Sequence, residues 1–132
     1  MLPRDRRVRT AADFRHIRKT GLRAGRRNLV VTASFAPDRT RPTDQNAVRS
    51  PRAGFVVSKA VGGAVVRNRV KRRLRAIMAA RLAEPALAET AAMIQVRALP
   101  AAADADYATL EAELSSALRQ CVKQHRSRSE RA

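Results

Sequence analysis

Segment 62–85 constrains the fold of this chain most strongly, because it reads as one helix with two unlike faces. Gly62 and Gly63 break the pattern before the helix, and Pro85 cannot continue it, so we predict a helix from about Ala64 to Leu82. At 100° per residue its apolar side chains gather on one side, namely Val66, Val70, Leu74, Ile77 and Met78. A helix of this kind buries its apolar side against another element, and we expect that element to be a sheet.

The other side of this helix is basic and has no acidic counterpart. No Asp or Glu occurs between Asp44 and Glu84, and residues 67–75, RNRVKRRLR, carry six basic side chains in nine positions. Like charges four residues apart destabilise a helix, so a solvated face normally interleaves acids with bases. We therefore predict that this side binds phosphate. The alternative is a basic face that contacts only solvent.

The charge of the whole chain favours the same partner. Its 132 residues include 28 Lys and Arg against 11 Asp and Glu, and 28 − 11 gives +17. The length predicts one domain, and the charge is typical of a protein that binds a polyanion. We expect no membrane partner, because the chain has neither an apolar run of about 18 residues nor an amphipathic anchor. We also expect no secretion signal and a cytoplasmic location, in keeping with the single cysteine.

The other secondary-structure elements are predicted from helix-capping residues, from the alternation of residues along strands, and from prolines and glycines that end an element. Thr10, with Asp13 three residues later, predicts a helix start, and Gly21 predicts its end. Alternating β-branched segments predict strands at residues 28–35, 53–58 and 92–98. The proline-rich segment 36–51 predicts a loop.

A final helix is predicted from about Asp106 to Lys123. Its apolar stripe consists of Tyr107, Leu110, Leu114, Leu118 and Cys121, which makes Cys121 a core residue rather than a reactive one. We expect residues 1–123 to form a single RNA-binding domain. Residues 124–132 lack apolar side chains and are predicted to be a disordered basic tail.

Residues 54–75, GFVVSKAVGGAVVRNRVKRRLR, resemble the signature of the bacterial ribonuclease P protein family. The shared features are a strand ending in Ser-Lys, a glycine turn, Arg-Asn-Arg, a lysine two residues later and further arginines. The resemblance extends over residues 1–123 and implies an α/β fold of the α+β sandwich type. It implies about four mostly antiparallel strands and three helices in the order αβββαβα. It also implies a left-handed βαβ crossover, whereas general chirality predicts a right-handed one.

The resemblance also implies two RNA-binding sites. The first faces the catalytic RNA and comprises Lys59, Arg67, Asn68, Arg69, Lys71, Arg72 and Arg75. The second is a cleft between the first helix and the sheet that holds the single-stranded 5′ leader of precursor tRNA; it comprises Phe14, Arg18, Thr32 and Ser58. An unpaired base stacks on an aromatic ring while cations follow its backbone. From the residues alone, Phe14 could equally be a core side chain.

Three positions depart from the family pattern. Arg18 stands where many members have a second aromatic residue, Thr32 where tyrosine is common, and Ala60 where a second lysine follows Ser-Lys. These departures predict weaker stacking in the cleft and a larger part for charge.

The sequence offers no catalytic constellation and no metal site of its own. The two histidines lie near opposite ends, the acids are scattered, and no phosphate-binding glycine loop occurs. The resemblance implies a non-catalytic subunit of an endoribonuclease, in which the RNA subunit and its Mg²⁺ ions carry the chemistry. The implied partners are ribonuclease P RNA and precursor tRNA, with no obligate protein partner. The alternatives are a ribosomal or other structural RNA-binding protein, and a DNA-binding module that uses the basic helix.

Overall fold

A computed structural model describes residues 6–8, 10–35, 51–88 and 90–131. Its elements are α1 (Ala11–Thr20), β1 (Leu22–Gly25), β2 (Leu29–Ser34), β3 (Arg52–Val56), α2 (Ala64–Leu82), α3 (Pro85–Ala88), β4 (Met93–Ala98), a 3-10 helix (Pro100–Asp104) and α4 (Tyr107–Arg131). The predicted αβββαβα order is confirmed, with α3 as a short additional helix. The predicted loop 36–51 lies outside the described residues except for Pro51.

The four strands form one sheet in the order β1-β2-β4-β3. The pairs β1/β2 and β2/β4 are antiparallel, whereas β3 and β4 are parallel neighbours joined through α2. The sheet is therefore mostly antiparallel, as predicted. The left hand of the β3–α2–β4 crossover stays a prediction.

One face of the sheet supports the main core. Alternate residues of β2 (Leu29, Val31 and Ala33) and of β4 (Ile94, Val96 and Ala98) are almost fully buried, because successive side chains of a strand point to opposite faces. Helices α2 and α4 cover this face. The buried side chains of α2 are Val70, Leu74, Ile77, Met78 and Leu82, which confirms the predicted apolar side apart from the half-buried Val66.

Helix α1 covers part of the opposite face. Its start is as predicted, since Thr10 Oγ1 accepts a hydrogen bond from the backbone N–H of Asp13 at 3.1 Å. Ile17 and Met93 are buried between the helix and the sheet together with Val8, and Phe14 packs beside them. Helix α1 lies mainly over β2 and β4, with Phe14 also over Gly54 of β3, and it leaves Arg23 and Arg97 of this face exposed.

Two expectations for α4 are wrong. Tyr107 is 42% exposed at the first turn, so the buried stripe begins at Leu110 and continues through Leu114, Leu118 and Cys121. The helix also continues to Arg131 instead of giving way to a disordered tail at residue 124. The ring of His125 stacks on that of Phe35, with centroids 4.2 Å apart, and this tertiary contact supports a segment without apolar residues of its own.

Candidate RNA interface

The predicted phosphate-binding residues lie on α2 and on the turn that precedes it. Lys59 is exposed in this turn, where the backbone N–H of Val61 bonds to the carbonyl of Ser58. On the helix, Asn68, Arg69 and Arg72 are exposed, whereas Lys71 and Arg75 are half-buried at its flank. The structure thus places Arg69, Lys71, Arg72 and Arg75 along one helix, with Lys59 in the turn before it.

Arg67 lies apart from the other predicted residues. It is three and seven residues before Val70 and Leu74, so it belongs to the apolar side of the helix. Its side chain is half-buried, and its Nε makes no hydrogen bond with the described residues. Arg67 therefore lies at the edge of the basic face.

Two arginines of α2 bind the segment that leads into α4. Arg73 donates from Nη1 to the carbonyl of Ala105 at 2.9 Å, and Arg69 donates from Nη2 to the carbonyl of Ala103 at 3.3 Å. Asp106 lies beside Arg73, and the pKa of its carboxyl is lowered, mainly by hydrogen bonds from Thr109 and less by Arg73. Arg69 and Arg73 thus bind groups within the protein. The sequence did not indicate these contacts.

Three other cations of the helix lack such partners. Lys71, Arg72 and Arg75 form no ion pair within the described part of the chain. Together with Asn68 they define the outer face of α2, a name used below for these four residues. Because α2 has no acid in its first turn, the positive charge of this face is left for an external anion.

The predicted leader cleft lies on the sheet face that α1 covers in part. Strand pairing places Thr32, Gln95 and Gly54 side by side in one row across β2, β4 and β3. The half-buried Phe14 lies over Gly54, since a Cβ built on that glycine would be only 2.6 Å from Phe14 Cζ. The ring of Phe14 therefore packs on the β3 end of this row, and the buried Thr32 lies two strands away.

The other two predicted cleft residues are accessible. Arg18 is exposed one helical turn after Phe14, and Ser58 is exposed two residues beyond the end of β3. The geometry therefore allows Arg18 and the ring of Phe14 to face one ligand, with Ser58 further along β3.

Sequence reasoning missed three polar residues of this face. Gln95, 7% exposed, lies between Thr32 and Gly54, and its Oε1 has no hydrogen-bond partner among the described residues. Arg97, in the next row between Val30 and Val56, is exposed, as is Arg23 opposite Thr32 on β1. A signal for two of them was present in the sequence: Gln95 and Arg97 alternate with Ile94 and Val96, so they lie on the opposite face of the sheet from the main core.

The described part of the chain has neither a metal-binding cluster nor a membrane-spanning helix. No group of three or more His, Cys, Asp or Glu side chains there could hold a metal ion. No helix among these residues is long and apolar enough to cross a membrane.

Exposed arginines on one sheet face, together with a helix that carries three cations unpaired within the described residues, are typical of the class of small α/β RNA-binding proteins. The family model of ribonuclease P matches residues 2–122. The chain belongs to this family, the protein components of ribonuclease P. This membership replaces the alternatives of a ribosomal protein and a DNA-binding module.

Individual relatives agree with this assignment. The chain is 61% identical over 125 residues to the ribonuclease P protein component of Micrococcus luteus, covering 95% of this chain and 94% of the relative. The corresponding protein of Streptomyces avermitilis is 50% identical over 123 residues, with 92% and 96% covered. The solved structure of the Staphylococcus aureus protein superposes with a TM-score of 0.69 at 27% identity, covering 86% of this chain and 93% of that one.

Proposed function

We propose that this protein binds the catalytic RNA of ribonuclease P through α2 and the 5′ leader of precursor tRNA through the cleft beside α1. It thereby assists endonucleolytic removal of the leader, which gives the mature 5′ end of the tRNA. The observation that carries the proposal is the outer face of α2, where three cations have no ion-pair partner among the described residues. Lys59 and Arg67 extend this surface towards the start of the helix.

The proposed division of labour leaves the hydrolysis to the RNA subunit. Mg²⁺ ions bound with that RNA would activate the attacking water and stabilise the leaving oxygen. The protein binds and orients the two RNA molecules and neutralises part of their charge. Catalytic RNA and precursor tRNA are both polyanions that repel each other, and a subunit with a net charge of +17 lessens this repulsion.

The cleft fits a single strand better than a duplex. Phe14 offers a ring for one base, while Arg18 lies one turn along the same helix for the backbone. Gln95 and Arg97 add hydrogen-bonding groups to the floor, next to Thr32 and close to the end of β3 that leads to Ser58. We propose that the leader crosses the strands here, because Arg97 is exposed and its neighbours Val30 and Val56 are only half-buried.

The same proposal places the protein in the cytoplasm, in a complex that requires no further protein partner. Cys121 fits a reducing compartment, since it is fully buried and has no second cysteine to pair with.

The outer face of α2 is tested by charge removal. The double variant Arg72→Ala and Arg75→Ala should bind ribonuclease P RNA about tenfold more weakly, since two charge-assisted phosphate contacts are lost. The plot of log affinity against log salt concentration should flatten by up to about one unit for each contact. Filter binding over a range of salt concentrations measures both quantities.

A matched control removes two exposed arginines elsewhere. Arg27 lies in the turn between β1 and β2, and Arg128 lies near the end of α4. The variant Arg27→Ala and Arg128→Ala changes the net charge equally but should keep most of the affinity and slope. Equal losses in the two double variants would mean that overall charge, rather than the outer face, binds the RNA.

A further inference from the structure

A pocket on the other side of the sheet lies outside both sites described above. It is formed where α3 and the end of α2 meet the second half of α4, and its volume is about 530 Å³. Leu87, Leu118 and Val122 give it an apolar lining, and the two leucines are otherwise almost completely buried. A pocket of several hundred Å³ with an apolar floor is of the size that holds a small organic group.

The rim of this pocket is strongly cationic. Arg81, Arg119, Lys123 and Arg126 line it, against a single acid, Glu84. That acid is already paired, since Glu84 Oε1 lies 3.1 Å from Arg81 Nη1. Among the described residues no acid pairs with Arg119, Lys123 or Arg126, the three rim cations on α4.

These three cations lie on one face of α4, at spacings of four and three residues. No acid occurs between Glu113 and Glu130, so like charges face each other without compensation. A helix C-terminus attracts cations, which accounts for residues in the last turn only. Arg119 and Lys123 lie two turns or more before Arg131, so attraction by the helix C-terminus does not account for them. Binding of an external anion explains their positions better.

Arg81 is held in place and keeps unused hydrogen-bonding capacity. Its Nη1 donates to Ser115 Oγ at 3.3 Å as well as pairing with Glu84. Its Nε is buried without a hydrogen-bond partner among the described residues, a costly arrangement unless a ligand or water completes it. Arg119 is likewise oriented, because its Nε donates to the carbonyl of Ser115 at 3.3 Å.

We propose that this pocket binds one unpaired nucleotide of RNA, with the base on the apolar floor and the phosphate at the cationic rim. A nucleotide combines a flat base, whose faces are weakly polar, with a negatively charged phosphate. The base complements the apolar floor of the pocket, and the phosphate complements its cationic rim. Three of the four rim cations are arginines, whose planar guanidinium binds phosphate through two hydrogen bonds and also stacks on bases. This site goes beyond the α2 and leader contacts and does not depend on them.

The test uses the full-length protein labelled with ¹⁵N and adenosine 5′-monophosphate as the probe. Backbone amide shifts of Leu87, Leu118 and Val122 should move and saturate with the nucleotide. Adenosine and inorganic phosphate, titrated separately, should need at least about tenfold higher concentrations, since each engages only one part of the pocket. The readout is local, so binding of the nucleotide to the leader cleft does not interfere.

Two variants complete the test. Arg119→Gln with Lys123→Gln should raise the concentration for half-saturation about tenfold, as expected for two lost charge contacts. Arg27→Gln with Arg128→Gln removes equal charge outside the pocket and should change the concentration for half-saturation less than about threefold. Both rim residues are exposed on α4, so the fold should persist, and circular dichroism checks it. If the rim variant unfolds, Arg126→Gln replaces it.

Several results would overturn the proposal. One is the absence of saturable shifts at the three amides. Another is an equal response to inorganic phosphate alone, which would reduce the site to a cationic helix face. A third is tighter binding of an acidic Asp–Leu peptide at the same amides, which would make the site a protein-docking groove.

Discussion

Replacing Phe14 by alanine separates two effects that the structure assigns to one ring. The ring is half-buried and packs against Val8, Ile17 and Met93 over Gly54. A fully buried Phe→Ala change costs about 3 to 5 kcal/mol, so about half of that, roughly 2 kcal/mol, is expected for this ring. In a chain of this size, such a loss lowers the melting temperature by about 6 to 10 °C.

The proposed leader contact adds a second, separate loss. If a leader base stacks on Phe14, its removal weakens binding of precursor tRNA by roughly 1 to 3 kcal/mol, or about five- to 150-fold. Binding of mature tRNA, which has no leader, should hardly change. Melting by circular dichroism and the affinities of the reconstituted holoenzyme for both RNAs measure the two effects, at a temperature where the variant is folded.

Two further variants distinguish packing from leader binding. Phe14→Leu keeps most of the apolar volume, so it should restore much of the stability while the leader preference stays low. Arg18→Ala alters an exposed side chain and should leave the melting temperature within about 2 °C while weakening precursor binding. Equal losses for precursor and mature tRNA in Phe14→Ala and Arg18→Ala would refute leader contact by this pair.

Two other predictions concern the fold itself. Gly54→Ala should cost about 1 to 3 kcal/mol in urea denaturation, because its Cβ would meet Phe14 Cζ at 2.6 Å and Val8 Cβ at 2.9 Å. Gly25→Ala is the matched control and should change stability little, because no described residue lies within 4 Å of the new Cβ. Similar losses in both variants would contradict the close packing of Phe14 on Gly54. Burial raises the pKa of the Cys121 thiol from 9.0 to about 11, so the folded state favours the neutral thiol. The stability that this preference contributes is therefore present below pH 9 and is lost by about pH 11. The stability of Cys121→Ala should therefore fall less over that range than that of the parent protein, and parallel pH curves would contradict the shift.

Local signals in the sequence predicted most of the scaffold correctly. Thr10 caps α1, and Gly21 ends it. Helix α2 ends at the predicted Leu82, and its buried side has the predicted period of an amphipathic helix. These features depend on residues within one or two turns of each other, which is why the sequence reveals them.

Features that depend on distant contacts were missed. Strand β1, LRAG, has no β-branched residue and is a strand because it pairs with β2. The extension of α4 past residue 123 accompanies the contact of His125 with Phe35, 90 residues earlier in the chain. Likewise, the binding of Arg69 and Arg73 to carbonyls of Ala103 and Ala105 follows from where the 3-10 helix packs, and local sequence does not encode that position.

The most direct test of the central claim is a cleavage assay at low magnesium with precursor tRNA. Three samples are compared: the protein alone, the cognate ribonuclease P RNA alone, and the two together. We predict no cleavage by the protein, slow cleavage by the RNA, and strongly faster cleavage at the mature 5′ end by the mixture. Cleavage at that end by protein freed of RNA, or a mixture no faster than the RNA alone, would contradict the proposed function.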